Sequence, residues 1–197
     1  MTFCLGLTGS IGMGKSTTAQ MFEQSGCALW DADAAVHRLY ARGGAAVPPM
    51  SVAFPGAIED GAVSRDILRG VIASDRTALT RIEAIVHPLV AADRAAFRTE
   101  TDADIGVFDI PLLYETGGVA GMDAVAVVHI DDAQQEARVL ARGTMTRDQF
   151  LAIKARQMPS AEKCARADYV IQTDTLEHAR AQVHHVIEQI KERIADA

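Results

Sequence analysis

The segment Gly9-Ser10-Ile11-Gly12-Met13-Gly14-Lys15-Ser16 decides the fold, because its spacing, Gly-x4-Gly-Lys-Ser, is the P-loop pattern. Its glycines let the backbone turn successive N–H groups inward around a phosphate. Lys15 supplies a cation to the β- and γ-phosphate oxygens, Ser16 offers its hydroxyl to Mg²⁺, and the helix that begins here adds its positive end. The sequence therefore predicts that this segment, together with Thr17, holds the phosphates of ATP.

Short apolar runs and helical patterns alternate on either side of this loop. The run Phe3–Leu7 precedes it, and residues 15–24 have a helical pattern. Four more apolar runs, at 27–30, 105–110, 124–130 and 169–171, predict further short strands. Because nearly continuous apolar strands alternate with helices, the sequence predicts an α/β fold with a five-stranded parallel sheet flanked by helices.

Two helical stretches, about 40–100 and 132–165, interrupt this alternation and predict subdomains mounted on the core. The first opens with a proline-rich boundary at 43–61 and continues with helices over 64–73 and 76–97. The second of these helices is expected to kink or break at His87-Pro88. The other stretch predicts helices over 132–142 and 146–158. A final helix carries an apolar stripe that packs on the sheet or forms an oligomer face: Leu176, Ala179, Val183, Val186, Ile187, Ile190 and Ile194.

Composition narrows the classes of function. The chain has 197 residues, 49% of them apolar, and a formal net charge of −7, which is a poor basis for general nucleic-acid binding. No apolar run reaches the roughly 20 residues of a membrane span, and the segment Met1–Leu5 has no basic region of a signal peptide. The three cysteines have neither disulfide-framework nor zinc spacing, so we expect reduced, mostly buried thiols and a cytoplasmic location.

A P-loop is shared by kinases, GTPases and motor ATPases. The chain lacks the Asn-Lys-x-Asp guanine motif of a GTPase. Its small size and its helical insert favour a small-molecule kinase, which needs an acceptor subdomain and a lid that brings arginine to the transferred phosphoryl group. A regulatory protein that binds a nucleotide without turnover would need the loop alone, and it stays open as an alternative.

Further segments occur in a fixed order along the chain. They are residues 6–17, Asp31-Ala32-Asp33, Gly61-Ala62-Val63-Ser64-Arg65, Ile85-Val86-His87-Pro88, Pro111-Leu112-Leu113-Tyr114-Glu115, Gln135-x2-Arg138-x3-Arg142 with Gln157, and Ala167-Asp168. Taken in this order, they resemble the motifs of the dephospho-CoA kinase family over essentially the whole chain. No single short segment is decisive, whereas the ordered set is highly specific.

The resemblance implies that ATP, with Mg²⁺, phosphorylates the ribose 3′-hydroxyl of dephospho-CoA to give coenzyme A and ADP. Another small-molecule or nucleoside monophosphate P-loop kinase is the alternative. The resemblance also implies a nucleoside-kinase-like core formed by residues 1–40, 101–131 and 166–197, a helical acceptor domain at 41–100, and a lid at 132–165. We expect dephospho-CoA as the partner, no nucleic acid or membrane, and a monomer or weak homo-oligomer.

Three positions are expected to carry catalysis: Asp33, Lys15 and Arg142. Asp33 follows a predicted parallel strand, at the sheet edge where ligands bind, and its carboxylate can accept the proton of the acceptor hydroxyl. The resemblance gives it the same role, and the alternative is that Asp33 only caps the following helix. Asp31 either supports Asp33 or contacts the waters of Mg²⁺.

Arginines and a second aspartate complete the predicted nucleotide site. Asp109 ends a strand where a Walker-B-like carboxylate would hold Mg²⁺ through water. The alternative is a structural strand-end aspartate. Arg138 and Arg142 lie four residues apart on one helix face, so the two cations repel unless an anion such as the nucleotide phosphates lies between them. The alternative is a solvated face paired with Glu136 or Asp132.

The resemblance places a further set of residues at the dephospho-CoA side: Thr8, Asp33, Arg65, His87, Leu112 and Glu115. Arg65 is otherwise a solvated surface arginine, and His87 a structural histidine at a helix break. Two positions depart from the family pattern. Gln172-Thr173-Asp174 stands where the family usually has an asparagine near the adenine, and Ser64 replaces an asparagine before Arg65.

Overall fold

A computed structural model describes residues 2–196 of the chain. Within them, seven strands and nine α-helices occur. The strands are β1 Phe3–Thr8, β2 Ala28–Asp31, β3 Ile58–Glu59, β4 Ala62–Val63, β5 Ile105–Asp109, β6 Ala124–His129 and β7 Tyr169–Gln172. The helices are α1 Lys15–Gln24, α2 Ala32–Tyr40, α3 Val47–Ala53, α4 Arg65–Ser74, α5 Ala78–Glu100, α6 Asp132–Ala141, α7 Arg147–Lys154, α8 Ser160–Arg166 and α9 Leu176–Ala195. The chain divides into two compact units, of which the second is Asp31–Glu100 and the first is the remainder.

A five-stranded sheet in the order β2-β5-β1-β6-β7 forms the centre of the first unit. β1 pairs in parallel with β5 and with β6, and β6 pairs in parallel with β7. Successive side chains of β6 enter different core clusters: Ala126 and Val128 belong to one, and Val125 and Val127 to the other. Both faces of the sheet are therefore covered, as the nearly continuous apolar strands predict, and the expected α/β fold class is confirmed.

Helices α1 and α9 pack on one face of this sheet. Phe22 of α1 and Val183 and Ile190 of α9 are completely buried in a single cluster with the strands. Full burial of one such side chain stabilises the fold by about 1.5–3 kcal/mol. Most of the predicted stripe of α9 is buried here, so the alternative of an oligomer face is wrong for it. Leu176 is the exception, because 67% of it is exposed at the first turn of the helix.

The second unit has a separate apolar core, built from α2, α3, α4 and α5 around residues such as Leu39, Met50 and Ile82. Helix α3 lies inside the proline-rich segment that the sequence suggested was only a boundary. Pro48 and Pro49 fall in the first turn of α3, where backbone N–H groups have no partner within the helix, so the helix tolerates both prolines.

A two-stranded hairpin, β3–β4, was also missed. Its two-residue turn is Asp60-Gly61, and both residues have positive φ (50° and 77°), as a type I′ turn requires. Asp-Gly between short apolar runs is a strong local signal for this turn, and it could have been recognised in the sequence.

The predicted break at Pro88 is wrong, because α5 continues through this residue to Glu100. Pro88 is exposed, while Ile82 and Val86 before it are buried and Leu89 and Val90 after it pack against the same core. Packing on both sides of the proline therefore keeps the helix together despite the missing N–H donor.

In the first unit, the helix predicted over 146–158 ends at Lys154, and a short helix α8 follows Pro159. α8 has few apolar residues, so periodicity did not indicate it. Of the three cysteines, Cys4 and Cys27 are buried as expected, while Cys164 is half-buried. Among the described residues, no helix combines the length and hydropathy that crossing a bilayer requires.

Replacing Pro88 by alanine should raise the free energy of unfolding by about 1 kcal/mol, because alanine restores an N–H donor for the Ala84 carbonyl. The gain is limited because proline also restricts the unfolded chain. Urea denaturation measures the change, and Glu83→Ala, an exposed substitution on the same helix, is the control and should change little. A loss of stability in Pro88→Ala alone would contradict this interpretation of α5.

Candidate active site

The phosphate loop joins the central strand β1 to helix α1. Gly12 and Gly14 have φ values of 78° and 87°, a region that other residues rarely adopt. Gly14 is the N-cap residue of α1 and has no side chain with which to cap the helix. The first N–H groups of α1 thus remain available to an anion. Because the loop follows the carboxyl end of a central parallel strand, it lies where α/β sheets bind ligands.

Lys15 and Asp109, which the sequence assigns to phosphate and to Mg²⁺, form an ion pair. Asp109 ends β5, directly beside Leu7 of β1, and its side chain is only 1% exposed. Asp109 and the exposed hydroxyl of Ser16 both offer oxygen atoms, which are the ligands that Mg²⁺ prefers. Among residues 2–196 there is no cluster of three or more His, Cys, Asp or Glu that would hold a metal alone. This donor set fits an ion that is held largely by phosphate and water.

A cavity of about 270 Å³ lies above the loop. Its lining includes every residue from Gly9 to Thr17, together with Pro111, Arg142, Ile153 and Gln157. All predicted nucleotide-binding residues of the loop therefore face one space. Arg142 follows the last residue of α6, and its guanidinium forms no hydrogen bond or ion pair with any described residue. Its guanidinium is thus unneutralised at the rim of a phosphate-sized site.

A second cavity, of about 200 Å³, adjoins the same loop. Its lining is Gly12, Gly14, Thr17, Thr18, Met21, Arg138, Arg142, Thr173, Thr175, Leu176 and Ala179. Arg142 therefore borders both cavities. The apolar part of the lining, which includes the exposed Leu176, can contact a flat ring, while the arginines can contact an anion.

Arg138 differs from Arg142 in its contacts. Arg138 donates hydrogen bonds to the backbone carbonyls of Thr173 and Asp174, at 2.6 and 3.0 Å. The suggested pairing of these arginines with Glu136 or Asp132 is wrong, since Glu136 pairs with Arg147 and Asp132 pairs with Lys154. Arg138 thus supports the turn after β7, in the segment where the sequence departs from the family pattern.

Thr173 was not singled out from the sequence. Its side chain is buried, and its hydroxyl donates to the carbonyl of Met13 in the phosphate loop at 2.7 Å. Two glutamines likewise reach the loop: Gln135 donates to the Ile11 carbonyl at 2.7 Å, and Gln157 accepts from the Ile11 N–H at 3.0 Å. In the sequence, Gln135 and Gln157 stood out only as parts of a spaced motif. Nothing in the sequence indicated that they would bond to the phosphate loop.

Three residues expected at the acceptor side lie in the turn after β5 or contact it. Thr8 is completely buried, and its hydroxyl donates to the Pro111 carbonyl at 3.0 Å. Leu112 is exposed. Glu115 pairs with the fully buried Lys163 at 2.8 Å and accepts from the Met158 N–H. Burial would raise the pKa of Glu115, but the ion pair with Lys163 and the hydrogen bond from the Met158 N–H outweigh it and lower the pKa.

The remaining predicted residues lie in the second unit. Asp31, rather than Asp33, is the N-cap of α2, because its carboxylate accepts from the Ala34 N–H at 2.8 Å. The capping alternative for Asp33 is therefore wrong, and Asp33 is exposed in the first turn. Arg65 is exposed, with its guanidinium 5.7 Å from the Tyr40 ring centre, and His87 is exposed on α5.

Ser64 explains one departure from the family pattern. It is the N-cap of α4, accepting from the Ile67 N–H, and serine and asparagine are about equally good at this position. The replacement therefore leaves the start of α4, and with it the placement of Arg65 on that helix, unchanged.

A parallel sheet with a glycine-rich loop after its central strand, a lysine paired with a buried aspartate, and an arginine at the rim define a P-loop kinase. Residues 3–178 match the model of the dephospho-CoA kinase family. A relative named dephospho-CoA kinase from Ruegeria pomeroyi is 70% identical over 97% of both chains. One of the same name from Cereibacter sphaeroides is 60% identical, over 99% of this chain and 98% of its own. The chain belongs to the dephospho-CoA kinase family.

A solved structure also resembles the chain. Dephospho-CoA kinase from Campylobacter jejuni aligns with a TM-score of 0.73, covering 98% of both chains at 21% identity. At 21% sequence identity, this similarity shows only that the two proteins share a fold.

Replacing Lys163 by methionine should destabilise the protein by about 3 kcal/mol at pH 7, because it leaves a carboxylate in the interior without its partner. Glu115 has a lowered pKa in the folded state, so its contribution to stability is present above its unfolded pKa of about 4.3 and is lost as the pH falls. The difference in melting temperature from the wild type should therefore stay constant between pH 7 and about pH 5, and shrink as the pH falls below about 4.3. Lys191→Met, at an exposed site of α9, is the control. A difference that is independent of pH would contradict this role of the pair.

Proposed function

We propose that the chain transfers the γ-phosphoryl group of ATP to the ribose 3′-hydroxyl of dephospho-CoA, producing coenzyme A and ADP. Family membership supports the reaction. The observation that carries it at this site is the single cavity that joins the phosphate loop, Lys15 and the unneutralised Arg142. Phosphoryl transfer passes through a loose transition state, so such a site works mainly by positioning and by stabilising charge.

Lys15 and Arg142 provide that charge in the proposed mechanism. Lys15 now neutralises Asp109, and a bound triphosphate offers it a second anion within the same cavity. Arg142 would contact the γ-phosphoryl group, where negative charge spreads over three oxygens during transfer. Arg138 is held by Thr173 and Asp174 and borders the second cavity, so we assign the nucleoside end of ATP to that cavity.

Ser16 and Asp109 are the proposed holders of Mg²⁺, Asp109 through water. The ion, when bound, would neutralise phosphate charge. With Lys15 directed to the phosphates, the ion would be the compensating charge for the Asp109 carboxylate, which is buried beside β1. Such compensation matters because an unpaired buried charge is costly.

Asp33 is the proposed base for the acceptor hydroxyl. It is exposed at the second position of α2, and the Asp31 cap leaves its carboxylate without a capping task. Arg65, His87, Leu112 and Glu115 are assigned to the acceptor by family resemblance, with Thr8 supporting the turn at Pro111. The proposed domains follow the same resemblance: a core (1–40, 101–131 and 166–197), an acceptor domain (41–100) and a lid (132–165). We also propose a cytoplasmic monomer or weak homo-oligomer that binds neither nucleic acid nor membrane.

Purified protein with ATP, Mg²⁺ and a panel of acceptors tests the reaction through ADP release. Dephospho-CoA should be the preferred acceptor, with a phosphomonoester on the 3′-oxygen of its ribose as product. Turnover with a nucleoside monophosphate or a sugar acid, but not with dephospho-CoA, would support another small-molecule kinase instead. Nucleotide binding without turnover on any acceptor would indicate a regulatory protein.

Asp33→Asn should lower turnover by about two to four orders of magnitude, the usual contribution of a positioned base, while ATP affinity stays nearly intact. Steady-state kinetics with dephospho-CoA measure the change. Asp66 occupies the same second position of a helix, in α4, and is also exposed. Asp66→Asn is thus a matched control and should leave turnover unchanged. Equal turnover in both variants would remove Asp33 from the mechanism.

Arg142→Gln should lower kcat by about three orders of magnitude or more, the scale of an arginine that stabilises a transferring phosphoryl group, with a much smaller change in ATP affinity. Pre-steady-state phosphoryl transfer and nucleotide titration separate the two effects. The control is Arg156→Gln, an exposed arginine that does not line either cavity. If Arg142→Gln weakened ATP binding and left kcat unchanged, Arg142 would be a ground-state contact only.

A further inference from the structure

The phosphate loop presents two backbone N–H groups whose direction is fixed from outside the loop. All peptide bonds of residues 2–196 are trans. In a trans peptide the carbonyl of one residue and the N–H of the next point in opposite directions. A group that holds the Ile11 carbonyl therefore sets the direction of the Gly12 N–H, and one that holds the Met13 carbonyl sets that of the Gly14 N–H.

Gln135 and Thr173 are these holding groups. Gln135 donates to the Ile11 carbonyl at 2.7 Å, and the Thr173 hydroxyl donates to the Met13 carbonyl at 2.7 Å. The two residues lie in α6 and directly after β7, far from the loop in sequence. Gly12 and Gly14 line both cavities, and within residues 2–196 neither of their N–H groups donates to another residue.

The surroundings of Gln135 indicate that its bond to Ile11, rather than packing, explains its presence. Its side chain is completely buried, and its amide oxygen has no hydrogen-bond partner among the described residues. A buried amide whose oxygen makes no hydrogen bond costs free energy compared with an apolar side chain of the same shape. Helix α6 approaches the loop so closely that an added Cβ at Gly12 would lie 2.3 Å from Val139 Cγ2.

Gln157 holds the preceding peptide plane. Its side-chain oxygen accepts from the Ile11 N–H, so the Ser10 carbonyl points the opposite way, where it accepts from the Met13 N–H at 3.2 Å. The next residue after Gln157, Met158, donates its N–H to Glu115, which pairs with the buried Lys163. Gln157 is therefore supported by the same ion pair that anchors α8.

We infer that Gln135 and Thr173, with Gln157, are positioning residues that aim the Gly12 and Gly14 N–H groups at the phosphates of the nucleotide. None of the three needs to contact the nucleotide phosphates for this role. The inference rests on the proposed use of the loop to bind ATP. It predicts that losing any of these side chains weakens the binding of phosphates and leaves the binding of the nucleoside unchanged.

The test compares the affinities of ADP and adenosine by titration calorimetry in two variants. Thr173→Val exchanges one hydroxyl for a methyl group, and Gln135→Met removes the amide at similar length. Each should weaken ADP binding about three- to tenfold, the equivalent of one neutral hydrogen bond, with adenosine affinity within twofold of the wild type. Thr99→Val, which removes a hydroxyl bonded to backbone carbonyls in α5, and Gln134→Met, at an exposed site of α6, are controls and should change neither affinity.

Two results would overturn the inference. ADP affinity within twofold of the wild type in both variants would show that the loop needs no outside support. Equal losses for ADP and adenosine would show general damage to the nucleotide site. If Gln135→Met fails to fold, the smaller change Thr173→Val decides alone. Because ADP binding requires no acceptor, a failure of this test is distinguishable from a failure of the wild type to phosphorylate dephospho-CoA.

Discussion

Binding a phosphate through backbone N–H groups requires several peptide planes to hold one orientation at once, and a glycine-rich loop cannot maintain this by itself. Gly12 and Gly14 adopt positive φ because they lack a Cβ, but the same freedom makes other orientations accessible. The remainder of the first unit supplies the restraint. Strand β1 fixes one end of the loop and α1 the other, while side chains from α6 and from the turns after α7 and β7 hold the carbonyl or N–H groups between them.

The same constraint explains how the charged side chains around the phosphate loop are paired. A loop prepared for a triphosphate is strongly favourable to anions, so each nearby charge needs a partner while the nucleotide is absent. Lys15 has Asp109, Arg138 has the carbonyls after β7, and Glu115 has Lys163. Arg142 is different, since it forms no such bond with a described residue and borders both cavities. The charged residues that have a partner thus build the site, whereas Arg142, which has none among the described residues, is the residue that we propose acts on the phosphoryl group.

Local signals predicted much of this fold. The loop, the buried strands and the stripe of α9 depend on spacing over a few residues, and the Asp60-Gly61 turn was equally local but overlooked. Long-range packing could not be predicted in the same way. Helix α5 continues through Pro88 because residues on both sides of it share one core, and the partners of Gln135 and Thr173 lie 124 and 160 residues away. Which of Asp31 and Asp33 caps α2 depended on where the helix begins, a boundary that sequence patterns do not fix to one residue.

The most direct measurement of the central claim is the response of individual backbone amides to ADP, followed by ¹⁵N-resolved NMR. The account predicts that the Gly12 and Gly14 N–H resonances move downfield as phosphate binds, and that adenosine leaves them nearly unchanged. If ADP bound while both glycine amides kept their positions and the shifts were confined to the turn after β7, the loop would not be the phosphate site.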